Sequence, residues 1–266
     1  MKIVFIGAGR LATNMAFALQ RAHHEVVGIM SRTEVSSRRL AEAVGCSWTT
    51  VIEDLRRDAD IYIVAVSDNA VPTIVHLLGK IVPTALVVHT AGSLSMDVFK
   101  NSGLKHFGVF YPMQTFSKER RVDFHTVSCF VEACDVFSLK VLKSLAESLG
   151  SPVYELSSSD RRYLHLAAVI ACNFSNHCYV MAADVLNRCG IPFKVLLPLI
   201  DETVLKIHGM SAEDAQTGPA ARGDNLVLSA QKALLADQPD YKEIYTLMSE
   251  NIQNTRKKRD RIDDKL

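Results

Sequence analysis

Four groups of residues in this chain have types and spacings suited to chemistry. The first is Gly7-Ala8-Gly9-Arg10-Leu11-Ala12 near the N-terminus. In this spacing Gly7 permits a tight turn and Gly9 lets backbone come close to a pyrophosphate. Ala12 lets a following helix press against the preceding strand, and that helix offers unpaired N–H groups to an anion. The second is Ser31-Arg32-Thr33. At the end of the second strand an Asp or Glu would hydrogen-bond the ribose 2′-hydroxyl of NAD, whereas an arginine accommodates the 2′-phosphate of NADP. A planar cation between two hydroxyls suits a phosphate monoester, so the expected cofactor is NADP. Arg38 and Arg39, just beyond, read as a solvated helix start.

The third group lies at successive strand ends: Val66 and Ser67, then Thr90-Ala91-Gly92-Ser93, then Gln114. Polar residues at the carboxyl ends of parallel strands sit where open α/β sheets bind ligands. Val66, Ser67, Thr90, Ala91 and Gly92 are expected to frame the nicotinamide, and Ser93 and Gln114 to contact substrate. Turn chemistry alone would also place Gly and Ser here. Asp68 and Asn69 suit either helix capping or ligand contact.

The fourth group is His165, Asn173 and Asn176, with Arg222 further along. At about 100° per residue the first three fall at roughly 0°, 80° and 20° around one helix. The rest of that helix is mostly Ala, Val, Ile, Leu and Cys, so it reads as buried. A polar sector on such a helix either lines a cleft or meets structural partners. In the first case His165, Asn173 and Asn176 are the catalytic candidates. Arg222, in Gly218-Pro219-Ala-Ala-Arg222-Gly223-Asp224, is a surface cation or a cation aimed at an acidic substrate group.

These residues need particular elements to hold them. Ile3 to Ile6 is a continuous apolar run, as expected of a buried parallel strand. It is followed by Leu11, Met15, Ala18, Leu19 and Ala22 at helical spacing. Further strands are expected at residues 25–30, 60–66, 84–89, 107–111, 127–132 and 151–156. A helix from about Val136 to Leu149 should close at Gly150. Beyond Ser157 strand-like runs vanish and long helical patterns take over, with Ser159 or Asp160 as the first cap. The expected architecture is a Rossmann-type, doubly wound, mostly parallel α/β sheet domain at 1–157. An all-helical domain follows at 158–266.

Composition narrows the function further. The net charge is +1, which gives no attraction to nucleic acid or anionic membrane. The basic cluster Arg256 to Arg261 is interrupted by Asp260 and followed by Asp263 and Asp264, so it reads as a solvated helix end. No uninterrupted apolar run approaches the roughly 20 residues a bilayer needs. Six cysteines lack paired spacing and read as buried thiols of a reducing, cytoplasmic compartment, with no metal site.

Across its length the chain resembles the NADP oxidoreductases that join a Rossmann-like domain to a helical domain of uncharacterised function. These are distant relatives of ketopantoate reductase, pyrroline-5-carboxylate reductase and the β-hydroxyacid dehydrogenases. The matching segments are Gly7-Ala-Gly9, Ser31-Arg32-Thr33, His89-Thr90-Ala-Gly92-Ser93, Tyr111-Pro112-Met-Gln114-Thr115-Phe116, the helix from Tyr163 through Asn173, and Thr217 to Asp224. The resemblance implies reduction of a small carbonyl or imine compound, such as a 2-oxo acid like ketopantoate. It also implies a 6-phosphogluconate dehydrogenase-like C-terminal domain and a homodimer formed through it. The β-hydroxyacid dehydrogenases and ketopantoate reductases use a lysine on the first long helix of the second domain as acid or base, and here that helix contains none after Arg162. His165 is the nearest group of suitable chemistry. The alternatives are a non-catalytic NADP(H) sensor and a deazaflavin-dependent NADP oxidoreductase.

Overall fold

The structure, a computed structural model, describes residues 1–263. Asp264 lies outside them, as do the side chains of Asp260, Arg261 and Asp263. The contact pattern divides the chain into two compact units, Met1–Asn173 and one beginning at Phe174.

The first unit is built on an eight-stranded sheet of order β3-β2-β1-β4-β5-β6-β7-β8. The strands are β1 (Lys2–Ile6), β2 (Glu25–Met30), β3 (Ser47–Thr49), β4 (Ile61–Val64), β5 (Leu86–His89), β6 (His106–Pro112), β7 (Cys129–Ala133) and β8 (Val153–Glu155). All neighbours pair in parallel except β6 with β7, which are antiparallel. The central strands are buried on both faces: Ile3, Phe5, Ile61 and Ile63 join one core, and Val4, Ile6, Tyr62 and Val64 the other. That double burial explains their unbroken apolar sequence. Helices α1 (Arg10–Arg21), α2 (Glu34–Val44), α3 (Val71–Ile81) and α4 (Val136–Ser148) connect them. Gly150, at φ +71°, follows α4 in the left-handed conformation that glycine adopts without penalty.

Helix α5 (Ser158–Ala168) also belongs to the first unit, so the compact boundary falls 16 residues after Ser157. The reason is a buried ionic anchor. Arg161, 1% exposed, donates to Glu132 on β7 (2.6 Å) and to the Leu94 carbonyl after β5 (2.7 Å). The cap of α5 is Ser157, whose hydroxyl accepts from Asp160 N, in place of the expected Ser159 or Asp160.

A π-helical stretch, Val169–Phe174, follows α5, and α6 (Ser175–Asn187) follows that. The second unit contains α6, α7 (Leu197–Gly209), α8 (Pro219–Arg222), α9 (Asn225–Leu234) and α10 (Pro239–Asp263). Asp224 caps α9 by accepting from Val227 N. Arg259 pairs with Asp214 at 2.6 Å, so the basic end of α10 is tied to a carboxylate and is not simply solvated.

By length and composition alone, the continuous helix Ser158–Asn187 holds an 18-residue window apolar enough to cross a membrane, with a mean hydropathy of 1.3 over that window. Two expectations need correction. This helix is not buried within the chain: Leu166, Ile170, Phe174 and Val180 are all exposed. Of the six cysteines only Cys129 is buried and Cys46 half-buried; the other four are exposed.

Candidate functional site

The glycine turn has the form its sequence predicts. Gly7 sits at φ +113°, and a Cβ there would lie 2.2 Å from the Ala65 carbonyl oxygen, so β4 leaves room only for glycine. A Cβ on Gly9 would meet no protein atom within 4 Å, so the space before it is open. Gly9 begins α1 with no side-chain cap and no acidic residue in the first turn. The first N–H groups of α1 therefore face that space without a side-chain partner, beside the exposed Arg10 and the half-buried Leu11. Ala12 is fully buried against the sheet. Open backbone, helix N-terminus and absence of carboxylate together fit a pyrophosphate.

At the end of β2, Arg32 is exposed, and it makes no ion pair or hydrogen bond among the described residues. Arg38, by contrast, is held by Glu42 at 2.7 Å. Thr33 donates to Ser36 Oγ at 2.9 Å and Ser31 N bonds Thr49 O, so the two hydroxyl residues flank Arg32 on ordered backbone. Sequence reading passed over a nearby cleft. Beside Ala8, residues Thr13, Ser36, Arg39, Lys118 and Arg121 line a hollow with three cations and no carboxylate. Buried Asn14 holds the loop carrying Lys118 and Arg121 in place, donating to Ser117 O (2.7 Å) and accepting from Val122 N (3.1 Å). Arg121 also rests 4.0 Å over the Phe17 ring. No local signal predicts this, because Ser117 lies 103 residues beyond Asn14 in the chain.

The strand-end residues follow along the same edge. Val66 packs against the Gly7 position, and Ser67 is exposed. Asp68 caps nothing; its carboxylate accepts from the Ser93 hydroxyl, which joins the ends of β4 and β5. Thr90 is buried and Ala91 N donates to His89 Nδ1 at 3.2 Å. His89 is itself fully buried, stacked on Phe99, and burial with the nearby Arg161 charge pushes its pKa down to about 3. It therefore supports the turn as a neutral ring. Gln114 is exposed and accepts from Thr115 N and Oγ1.

His165 meets this edge at Gly92. Its Nδ1 lies 3.1 Å from the Tyr111 hydroxyl, with the two rings edge to face at 5.9 Å and 75°. A Cβ on Gly92 would be 2.5 Å from His165 Nδ1 and 2.9 Å from Tyr111 Cζ, so glycine is what admits the histidine. Tyr111 stands at the end of β6, buried, and desolvation raises its pKa. Sequence reading named its segment but not this contact. Asn173, exposed, closes the first unit within the π-helical stretch. Because an i→i+5 stretch turns each residue through less than 100°, the uniform helical wheel does not hold across it. Asn176 and Arg222 are both exposed and belong to the second unit.

Fold and turn together define the class, a Rossmann-like α/β protein with a helical C-terminal region. The pattern of a Rossmann-like domain matches residues 1–106. That of DUF2520, a domain of unknown function, matches residues 127–252. A Bacteroides fragilis protein assigned as an NADP oxidoreductase is 44% identical, with TM-score 0.91, over 95% of this chain and 98% of its own. The chain therefore belongs to the family of proteins that join a Rossmann-like domain to a DUF2520 domain. An imine reductase from Myxococcus stipitatus, solved with NADP+, shares the fold at 16% identity (TM-score 0.71, covering 97% and 94% of the two chains). So does a pyrroline-5-carboxylate reductase from Streptococcus pyogenes at 16% identity (TM-score 0.63, 96% and 98%). No curated protein matches.

Proposed function

We propose that the protein is an NADPH-dependent oxidoreductase acting on a small carbonyl or imine compound. One observation carries this reading: the open glycine turn, the unpartnered Arg32 and the His165–Gly92 contact all lie along one edge of the sheet. From β2 to β6 that edge covers four strand spacings, roughly 19 Å. An extended dinucleotide can lie along it with its reactive ring toward His165.

Gly7 to Leu11 and the first turn of α1 would hold the pyrophosphate. Ser31, Arg32 and Thr33 would hold the 2′-phosphate. Val66, Ser67 and Thr90 to Gly92 would frame the nicotinamide, which supplies the hydride when bound. Ser93 and Gln114 stand at the same strand ends to contact substrate. Asn173 can polarise the substrate oxygen or nitrogen, and His165 gives that atom its proton. The NADP+ complex of the imine reductase and the assignment of the Bacteroides protein support the same cofactor.

The proposal includes a homodimer through the helical half. Exposed Leu199, Leu205, Leu226, Leu234 and Leu247 on the second unit support it, since a second copy could cover apolar side chains that the single chain leaves open. Sedimentation of the purified chain should give twice the monomer mass.

The decisive experiment titrates purified protein with NADPH and NADH, then follows NADPH oxidation with a panel of 2-oxo acids, aldehydes and cyclic imines. Binding of NADPH with turnover on one class supports the reading. Tight binding without oxidation across the panel favours a sensor, and no binding of either nucleotide overturns the proposal.

A further inference from the structure

We propose that Tyr111 is the positioning residue of His165, its phenol oxygen accepting from Nδ1–H so that Nε2 alone exchanges a proton with the substrate. The inference rests on the reading of His165 as proton donor and adds the device that sets its working nitrogen.

A histidine that gives a proton at one nitrogen must keep the other protonated through the cycle. That requires a fixed acceptor on the second nitrogen. The Tyr111 oxygen, 3.1 Å from Nδ1, is the partner the structure provides there. Both partners are held rigidly. Tyr111 is paired in the sheet opposite Phe130, whose ring lies 6.3 Å away, and it is 8% exposed. His165 is one helical turn beyond Arg161, which Glu132, Leu94 and Ser158 lock in place. A side chain at Gly92 would press on both rings, so glycine keeps their contact open.

The charges around the pair suit a neutral phenol. Arg161 is the charged group that acts on Tyr111, and its own charge is balanced by Glu132. Burial keeps Tyr111 in its O–H form, so its oxygen accepts from Nδ1–H without competing as a base. The step balances on the chain's side. The Nε2–H bond of the imidazolium breaks, its electron pair stays on the ring, and the proton forms the new bond to the substrate oxygen or nitrogen. The neutral ring keeps Nδ1–H on Tyr111, and solvent returns a proton to Nε2.

The test uses full-length protein with ¹⁵N-labelled histidine, with His165 assigned by the signals lost in His165→Gln. Ring-nitrogen shifts are followed with pH, with no cofactor or substrate present. In the native protein Nδ1 should stay protonated throughout while Nε2 gains and loses its proton. In Tyr111→Phe the neutral ring should shift toward the Nε2–H tautomer. Gly92→Ala is a second probe that keeps the phenol but wedges a methyl against both rings, and it should give the same redistribution. Where turnover is measurable, Tyr111→Phe should lower kcat about 10-fold or more, a fraction of the range for general acid catalysis, with KM little changed. Titration at Nδ1 in the native protein, or unchanged tautomers in both variants, overturns the proposal. The readout stands without NADPH, so a protein that binds no nucleotide would sink the reductase reading and leave this result to be judged on its own.

Discussion

Arg161 and Glu132 form an ion pair at 2.6 Å across elements nearly thirty residues apart, with the arginine side chain 1% exposed and the glutamate 19%. This pair ties α5, and hence His165, to the sheet. Removing one member of a buried pair leaves the other uncompensated and costs about 3–5 kcal/mol. Glu132→Ala should therefore lower stability by an amount near the bottom of that range, since Glu132 keeps some solvent contact. Urea unfolding monitored by Trp48 fluorescence measures it. A change below about 0.5 kcal/mol, typical of surface substitutions, would mean that the pair is not the anchor.

The two glycines of the first turn should fail in different ways. Gly7→Ala places a methyl 2.2 Å from the Ala65 carbonyl on a backbone at φ +113° and should destabilise the fold itself. Gly9→Ala meets open space at its Cβ, so the melting temperature should fall far less than in Gly7→Ala while NADPH affinity drops. Equal loss of stability in both variants would argue against an open cradle at Gly9.

Arg32 has no partner to lose among the described residues. Arg32→Ala should leave stability unchanged and weaken NADPH by about 1.5–3 kcal/mol, the range for a charged hydrogen bond, which is roughly 10- to 150-fold. NADH affinity should move little. Calorimetric titration with both nucleotides measures the difference, and equal weakening would remove Arg32 from phosphate recognition.

His165→Ala should reduce turnover by about 10²–10⁴-fold, as expected when a general acid is lost. NADPH affinity should stay near the native value, because His165 touches Gly92 and Tyr111, away from the pyrophosphate turn. Single-turnover kinetics with an active substrate separates the two quantities. Native turnover in the variant would exclude the histidine from the chemistry.

His89 sets a pH dependence. Its folded pKa is lowered to about 3 by burial and by Arg161, whereas the unfolded ring titrates near 6.5. Between these values the unfolded state binds more protons, so stability falls as pH drops below about 6.5 and continues to fall toward 3. His24, lowered by burial and the N-terminal charge, acts in the same direction. Stability should decline by about 2 kcal/mol between pH 7 and pH 5 from His89 alone, by linkage. His89→Gln should flatten that slope in urea melts at the two pH values, and an unchanged slope would assign it elsewhere.

Much of this protein is legible along the chain. Residues 3 to 12 carry strand, turn and helix in one local pattern, and Arg32 follows the next strand, because each signal depends only on neighbours in sequence. The passage from strands to helices after Ser157 is legible for the same reason. What needed the tertiary structure is the meeting of distant residues. Tyr111 reaches His165 because β6 lies beside β5 and α5 returns across their ends. Arg161 is buried because β7 runs antiparallel and brings Glu132 to it. Lys118 and Arg121 come to the first turn because Asn14 fastens their loop to α1. Sheet order and helix return are settled by burial of the whole core, and no window of sequence contains them.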